Sequence, residues 1–266
     1  PDLYRDLHTF RITGGEPLLS NDTWKVLDYI IDEPNPNKNL NLAINSNLGV
    51  PDNLIDKLIE KLKRIEDEDR VKELVIFTSV DTWGKQAEYI RDGLEFNRFW
   101  NNCNKVLDSL DRVVLTVMST YNALSVPNYP KLIGGIYDLK TNFASEDRYW
   151  NSAVFLDSSY LRFPHHQTVQ VLPREWDIKI LEQAQLTDFY SVPKFEKNYF
   201  GYSDIEIQKI KRIYDWAVST NEEKVMKQRY NFGKFFKEHD KRRGTNFRKT
   251  FPELAEFYND CQRIKL

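Results

Sequence analysis

The stretch Arg11-Ile12-Thr13-Gly14-Gly15-Glu16-Pro17-Leu18-Leu19 decides the fold prediction. Its two glycines follow a strand-like run over residues 8–13, and the stretch precedes an amphipathic segment with apolar residues at helical spacing. The two glycines let a ligand approach the main chain closely, because neither carries a Cβ atom. Backbone carbonyls and the Glu16 carboxylate are acceptors, so the group bound here should be a donor and a cation. Pro17 suits the first position of a helix. The stretch therefore predicts a ligand site between a strand and a helix.

Strand-like and helix-like segments alternate over roughly the first 175 residues. The third predicted strand, over residues 73–80, has a nearly continuous apolar centre, which is typical of a parallel strand buried on both faces. Consecutive βα units with right-handed crossovers predict an α/β fold, a partial (β/α) barrel of parallel strands. The strands are expected at 8–13, 40–45, 73–80, 111–119, 152–157 and 168–172, with a long helix over 86–109 and another over 130–139.

The composition changes after Pro173, where helices rich in Tyr, Phe, Lys and Arg are expected around 203–217, 222–238 and 252–263. This divides the chain into a βα core over 1–175 and a helical C-terminal extension over 176–266. The basic run in the extension, residues 237–249, is interpreted as a solvated turn between helices, although an anionic substrate or RNA stays open as its ligand.

Composition restricts the class of protein further. Hydrophobic content of 41% with 14% aromatic residues is typical of a globular chain, and a net charge of −2 gives no indication of a nucleic-acid partner. No apolar run approaches the ~20 residues of a membrane span, so no membrane partner is expected. Cys103 and Cys261 fall at helical spacing among apolar residues, which predicts core thiols and a reducing, cytoplasmic location.

Compact polar sequences follow four of the predicted strands. They are Thr13-Gly14-Gly15-Glu16, Asn45-Ser46-Asn47, Ser79-Val80-Asp81 and Ser119-Thr120-Tyr121-Asn122. Because the carboxyl ends of parallel strands meet at one edge of a sheet, where such folds bind their ligands, these residues are expected to share a rim.

In this order the strand ends resemble the radical S-adenosylmethionine (SAM) superfamily, in its branch with SPASM or twitch-type extensions. Gly14-Gly15-Glu16-Pro17 is similar to the motif that holds the SAM amino group. Asn45-Ser46-Asn47 is similar to the end of the family's third strand, and Ser79-Val80-Asp81 with Ile90-Arg91-Asp92-Gly93 to its Ser-x-Asp and Ile-Arg-x-Gly pattern. Residues 115–122 resemble the fifth strand, and Val171-Leu172-Pro173 the end of the sixth.

The resemblance implies a SAM site and 5′-deoxyadenosyl-radical chemistry on an unknown substrate, for which a peptide is one possibility. Glu16 would bind the ammonium, Arg91 the carboxylate, Ser79 or Asp81 the ribose, and Leu172 with Val117 and Met118 the adenine. The implied cofactor-binding residues are Gly14, Gly15, Glu16, Pro17, Asn45, Ser46, Asn47, Ser79, Asp81, Arg91, Asn122 and Leu172. The catalytic residues are not identified, and no metal ligand is expected in this chain.

Simpler interpretations stay open for several of these residues. Glu16 would also suit the first turn of a helix, whose dipole favours a negative charge. Arg91 has Glu88 and Glu95 at helical spacing, which would make it a surface ion pair. Ser79 and Asp81 would also suit a turn, and Val117 and Met118 are more typical of a core than of a cofactor wall. His165-His166 is not interpreted as a metal pair, since neighbours on an extended chain face opposite ways.

The sequence departs from the family at the cluster loop. Such proteins hold a [4Fe–4S] cluster with a Cys-x3-Cys-x2-Cys loop, and this chain has two cysteines, neither of them in such a loop. The chain starts at Pro1 just before its first strand, so a missing first βα unit, carrying the cluster ligands upstream, is the expectation. An enzyme of this kind would also need a reductant such as a flavodoxin or a ferredoxin. The alternative is a non-catalytic SAM-binding or protein-interaction scaffold.

Overall fold

The computed structural model describes residues 3–145, 152–191, 201–220 and 222–265. Its centre is a five-stranded, all-parallel sheet in the order β1-β2-β3-β4-β5, which is the sequence order of the strands. This confirms the α/β class and is compatible with a partial (β/α) barrel. The strands are β1 (Thr9–Ile12), β2 (Asn41–Asn45), β3 (Glu73–Ser79), β4 (Val114–Tyr121) and β5 (Val154–Tyr160).

Helices connect and flank the strands. The five in the first part of the chain are α1 (Asn21–Asp32), α2 (Asp52–Asp67), α3 (Gly84–Ile90), α4 (Phe96–Ser109) and α5 (Tyr129–Asn142). The C-terminal part contains α6 (Glu175–Phe189), α7 (Asp204–Val218), α8 (Glu222–Arg243), α9 (Phe247–Thr250) and α10 (Ala255–Arg263). Both parts contribute to one hydrophobic cluster, in which the α8 residue Phe232 and the α4 residue Phe99 are each fully buried.

The prediction of one continuous helix over 86–109 is wrong, because this segment forms two helices, α3 and α4. Gly93 between them has a φ of +80°, a left-handed conformation that few other residues adopt. The Glu88 carboxylate accepts the Phe96 N–H at 3.0 Å, which helps to satisfy the start of α4. Arg91 leaves the helical path and turns towards the rim of the sheet.

The strand expected over 168–172 is also wrong. The segment contains a 3-10 turn, Val169–Val171, whose hydrogen bonds are local: the Leu172 N–H donates to the Val169 carbonyl at 3.1 Å. The alternation of buried Val169 and Val171 imitates a strand. The side chain of Arg229 instead donates to the Val171 carbonyl at 2.8 Å, so this backbone pairs with α8 and not with β5.

The expectation that β3 is buried on both faces is wrong as well. Leu74, Ile76 and Thr78 are buried, whereas the alternate residues Val75, Phe77 and Ser79 are half-buried. The strand is apolar on both sides, but helices cover one side more fully than the other. We call the less covered side the open face; by strand register it carries Arg11, Asn45, Phe77, Ser79, Thr116, Met118 and Asp157.

A buried ion pair occupies the free edge of β5. The Lys140 ammonium donates to the Val154 carbonyl at 2.6 Å, and the Leu156 N–H donates to the Glu206 carboxylate at 2.8 Å. Lys140 and Glu206 also bind each other at 3.0 Å. Two side chains therefore make the hydrogen bonds that a sixth strand would otherwise make at this end of β5.

Candidate functional site

The turn after β1 presents bare backbone at the carboxyl end of the sheet. Gly14 and Gly15 have φ values of +101° and +48°, both in the region that disfavours a side chain. Both glycines are exposed, and a Cβ placed on either would have no atom within 4 Å. The space over this turn is therefore open, as the sequence predicts for a site that a ligand approaches closely.

Glu16 joins the ends of β1 and β2. Its Oε1 accepts hydrogen bonds from the Leu18 N–H at 3.1 Å and from the Ser46 hydroxyl at 2.8 Å. Its Oε2 accepts the Asn47 N–H at 2.7 Å. All three donors are neutral, so the charge has no cationic partner among the described residues. A carboxylate has about four acceptor positions, and one on Oε2 is left for a further donor.

The three polar residues after β2 have different environments. Ser46 is buried, and its hydroxyl also accepts the Leu48 N–H at 3.1 Å. Asn47 is exposed, and its side chain accepts the Gly49 N–H at 2.7 Å within its own turn. Asn45 points to the open face, where its Oδ1 accepts the Arg11 Nε–H at 2.8 Å.

Asp81 and Arg91 form the second charged group of the rim. Arg91 donates to the two oxygens of Asp81 at 2.9 and 3.1 Å, and the Thr120 N–H donates to Asp81 at 2.8 Å. Asp81 therefore joins the ends of β3 and β4, as Glu16 joins those of β1 and β2. The alternative interpretation, in which Arg91 forms a surface ion pair with Glu88 or Glu95, is wrong. Glu88 binds Lys85 instead, and Glu95 binds Arg98.

The remaining predicted residues divide between the open face and the protein interior. Ser79 is half-buried on the open face, beside Met118 in the strand register. Asn122 is buried, and its side-chain amide donates to the Thr120 carbonyl and accepts the Leu124 N–H within its own loop. Val117 is fully buried in the core. Pro17 is buried at the first position of a short 3-10 turn.

Leu172 does not lie at the end of a strand, because the described residues around it form a 3-10 turn and not the predicted sixth strand. Its side chain is buried, and its carbonyl accepts a hydrogen bond from Arg229 at 3.2 Å. The structure therefore gives this residue a packing role next to α8, and the prediction that placed it at the end of a parallel strand is wrong in that respect.

Arg11 is the residue that the sequence prediction missed. Its guanidinium carbon lies 4.1 Å from the centre of the Phe77 ring, and its Nε–H binds Asn45. This places a cation on the open face between β1 and β3. The sequence contained the information needed to find it. In β1 the apolar residues Phe10 and Ile12 alternate with Thr9 and Arg11, so the period of a strand places Arg11 on the opposite face from the apolar pair.

The cysteines do not form a metal centre. Cys103 is fully buried in α4 and Cys261 nearly so in α10, and burial raises the pKa of both thiols, that of Cys261 to about 12. Within the described ranges no three His, Cys, Asp or Glu side chains come together as metal ligands. None of the helices in the described part of the chain combines the length and the apolar character that a membrane span requires.

Comparison with known proteins adds no assignment. A scan against protein-family models and a search of curated proteins both found no match for this chain. The site is therefore interpreted from its own geometry: two carboxylates that join neighbouring strand ends, a turn of two open glycines, and two guanidinium groups along the same sheet.

Proposed function

We propose that this chain is the SAM-binding core of a radical SAM enzyme. The observation that carries the proposal is the Glu16 carboxylate, which holds three neutral donors, has one acceptor position left and has no cationic partner in the described residues. A half-buried negative charge of this kind is stabilised by an incoming cation. The ammonium of SAM supplies both the positive charge and the donor.

The other groups of the rim suit the rest of the ligand. Arg91 is about one-third exposed, and its bonds to Asp81 come from Nε and Nη2. The remaining N–H groups of the guanidinium are suited to a ligand carboxylate. Ser79, half-buried on the open face, suits a ribose hydroxyl, and the half-buried Met118 beside it offers apolar surface to an adenine ring.

The iron–sulfur cluster does not fit this chain. Such a cluster needs thiolate ligands, and the two cysteines lie in different helices of the hydrophobic core with pKa values raised by burial. We therefore assign to these residues the binding and orientation of SAM and no radical step. A radical reaction needs cluster ligands from outside residues 1–266.

The same observation favours a second candidate, a scaffold that binds SAM without cleaving it. The two candidates share the Glu16 site and differ in the cluster. Anaerobic reconstitution of the complete gene product with iron and sulfide distinguishes them: an enzyme retains iron and turns brown, whereas a scaffold retains none.

Calorimetric titration tests the SAM site with two ligands. SAM carries the ammonium, whereas 5′-methylthioadenosine lacks the whole amino-acid part. We expect Glu16→Gln to weaken SAM binding about 10- to 100-fold, the cost of one charge-assisted contact. The same substitution should leave the affinity for methylthioadenosine unchanged. Asp260→Asn is the control, because this exposed carboxylate lies on α10, away from the rim, and its substitution removes the same charge.

Two results would contradict the proposal. If the wild-type chain bound neither ligand, the proposal of a SAM site would be refuted. Equal losses for SAM and methylthioadenosine in Glu16→Gln would show that the substitution disturbs the turn and not a contact with the ammonium.

A further inference from the structure

A cleft lies between the carboxyl end of β5 and the helix α7. Its volume is about 410 Å³, which lies within the usual range for a small-molecule site. One wall is the strand, residues 157–160, and the other is the face of α7 that carries Lys209 and Arg212; Arg162 closes the end. None of these residues belongs to the SAM site proposed above.

The strand wall offers unpaired backbone donors. In β5 the Val154 carbonyl and the Leu156 N–H point to the free edge, where side chains bind them. Backbone groups two residues apart point the same way, so those of Ser158 and Tyr160 also face this edge. No hydrogen bond to the N–H of Ser158 or of Tyr160 occurs in the described part of the chain. Ser158 is buried and Tyr160 half-buried, and both line the cleft, so their N–H groups require an acceptor there, from water or from a ligand.

The side chains of the cleft are mostly cationic. Lys209 forms an ion pair with Asp157, the one carboxylate among the described residues that line the cleft. Arg162 donates to the Tyr160 hydroxyl at 3.2 Å, and Arg212 to a backbone carbonyl at 3.3 Å. Over the described ranges neither guanidinium has a carboxylate partner. The cleft therefore has three cationic side chains and one carboxylate among its described lining residues. Lys209 neutralises that carboxylate, and the two arginines supply the remaining positive charge.

We propose that this cleft is a binding site for an oxyanion, the phosphoryl or carboxylate group of a ligand. Guanidinium groups bind both oxyanions through paired hydrogen bonds, and strand N–H groups add neutral donors of the kind that such anions accept. The ligand group would lie between Arg162 and Arg212, with its oxygens towards the backbone of Ser158 and Tyr160. The proposal does not depend on SAM binding, because it uses other residues and another class of ligand.

Calorimetric titration with sodium phosphate and with sodium acetate, at constant ionic strength made up with chloride, tests the site. We expect wild-type chain to bind at least one of the two above the chloride background. The double variant Arg162→Gln with Arg212→Gln should lose about tenfold or more in that affinity, because it removes both unpaired cations. Tighter binding of phosphate assigns a phosphoryl ligand, and tighter binding of acetate a carboxylate.

The matched control is Arg242→Gln with Arg263→Gln, which makes the same change in charge at two exposed arginines of α8 and α10. It should bind the anion as wild type does. The proposal is overturned if wild-type chain binds neither anion, if the cleft variant keeps its affinity, or if the control variant loses as much. Circular dichroism of each variant establishes that the loss is not one of folding.

Discussion

Arg91 holds Asp81, ten positions before it in the sequence, through two parallel hydrogen bonds, and these bonds fix the turn that follows β3. The Asp81 side chain is 6% exposed and that of Arg91 35%, so the pair lies at the boundary of the protein. The Thr120 N–H binds the same carboxylate. One buried charge therefore connects β3, β4 and the chain between α3 and α4.

Asp81→Asn is expected to destabilise the fold by about 1.5–3 kcal/mol, since the amide keeps the shape but loses the charge-assisted bonds to Arg91. Urea unfolding measures the change. Asp92→Asn is the matched control, because the Asp92 side chain is 73% exposed and Arg243 lies 3.9 Å from its carboxylate. The control should change the free energy of unfolding by less than about 0.5 kcal/mol. Equal losses in the two variants would show that Asp81 has no special role.

The sequence was sufficient to predict the five parallel strands of the sheet and the polar residues at their ends, because both follow from local patterns. Apolar runs of strand length, separated by helical periodicity, specify the βα units. Glycines and small polar residues at strand ends specify the turns. The SAM assignment itself rests on resemblance and stays a prediction, as does the division of the chain at residue 175.

The errors arose where tertiary contacts decide the local structure. Val169 and Val171 alternate as in a strand, but the carbonyls of Val171 and Leu172 accept hydrogen bonds from Arg229 of α8, which is far away in the sequence. Arg91 has two acidic neighbours at helical spacing, yet its helix stops at Ile90 and its side chain turns to Asp81. No local pattern contains such partners, so neither result was available from the sequence.

The buried pair of Lys140 and Glu206 should be among the most sensitive contacts of the fold. Their side chains are 1% and 4% exposed, and each also binds the backbone of β5. Glu206→Ala leaves the ammonium buried without its counter-ion, which costs about 3–5 kcal/mol.

The exposed pair of Arg263 and Asp260 provides the comparison. Asp260→Ala should cost no more than about 1 kcal/mol in the same urea titration. A loss in Glu206→Ala as small as that of the control would mean that the edge of β5 does not need the pair.

Alanine substitutions at two adjacent glycines of α5, Gly134 and Gly135, should change the free energy of unfolding in opposite directions. A Cβ on Gly135 would overlap the Trp83 ring, with its Cη2 at 2.7 Å, and would reach Trp100 Cζ2 at 3.0 Å. Gly135→Ala should therefore cost about 1–3 kcal/mol through overpacking. A Cβ on Gly134 meets nothing within 4 Å, so Gly134→Ala should stabilise the helix by roughly 0.5–1 kcal/mol. Thermal unfolding of both variants tests the pair, and a shift of the same sign in both would refute it.

His166 should make the fold less stable in mild acid. Its ring packs against Phe235 at 5.0 Å, and burial, with His165 beside it, lowers its pKa below 6.5. The unfolded chain then binds the proton more readily than the folded chain, so stability is lost as the pH falls from 6.5 towards the lower pKa of the folded state. His166→Phe keeps a ring in place and removes the proton site. Urea titrations at about pH 7.5 and about pH 5.5 should show wild type losing more stability than the variant. If the difference between the two proteins is the same at both pH values, the ring does not titrate differently in the folded and unfolded states.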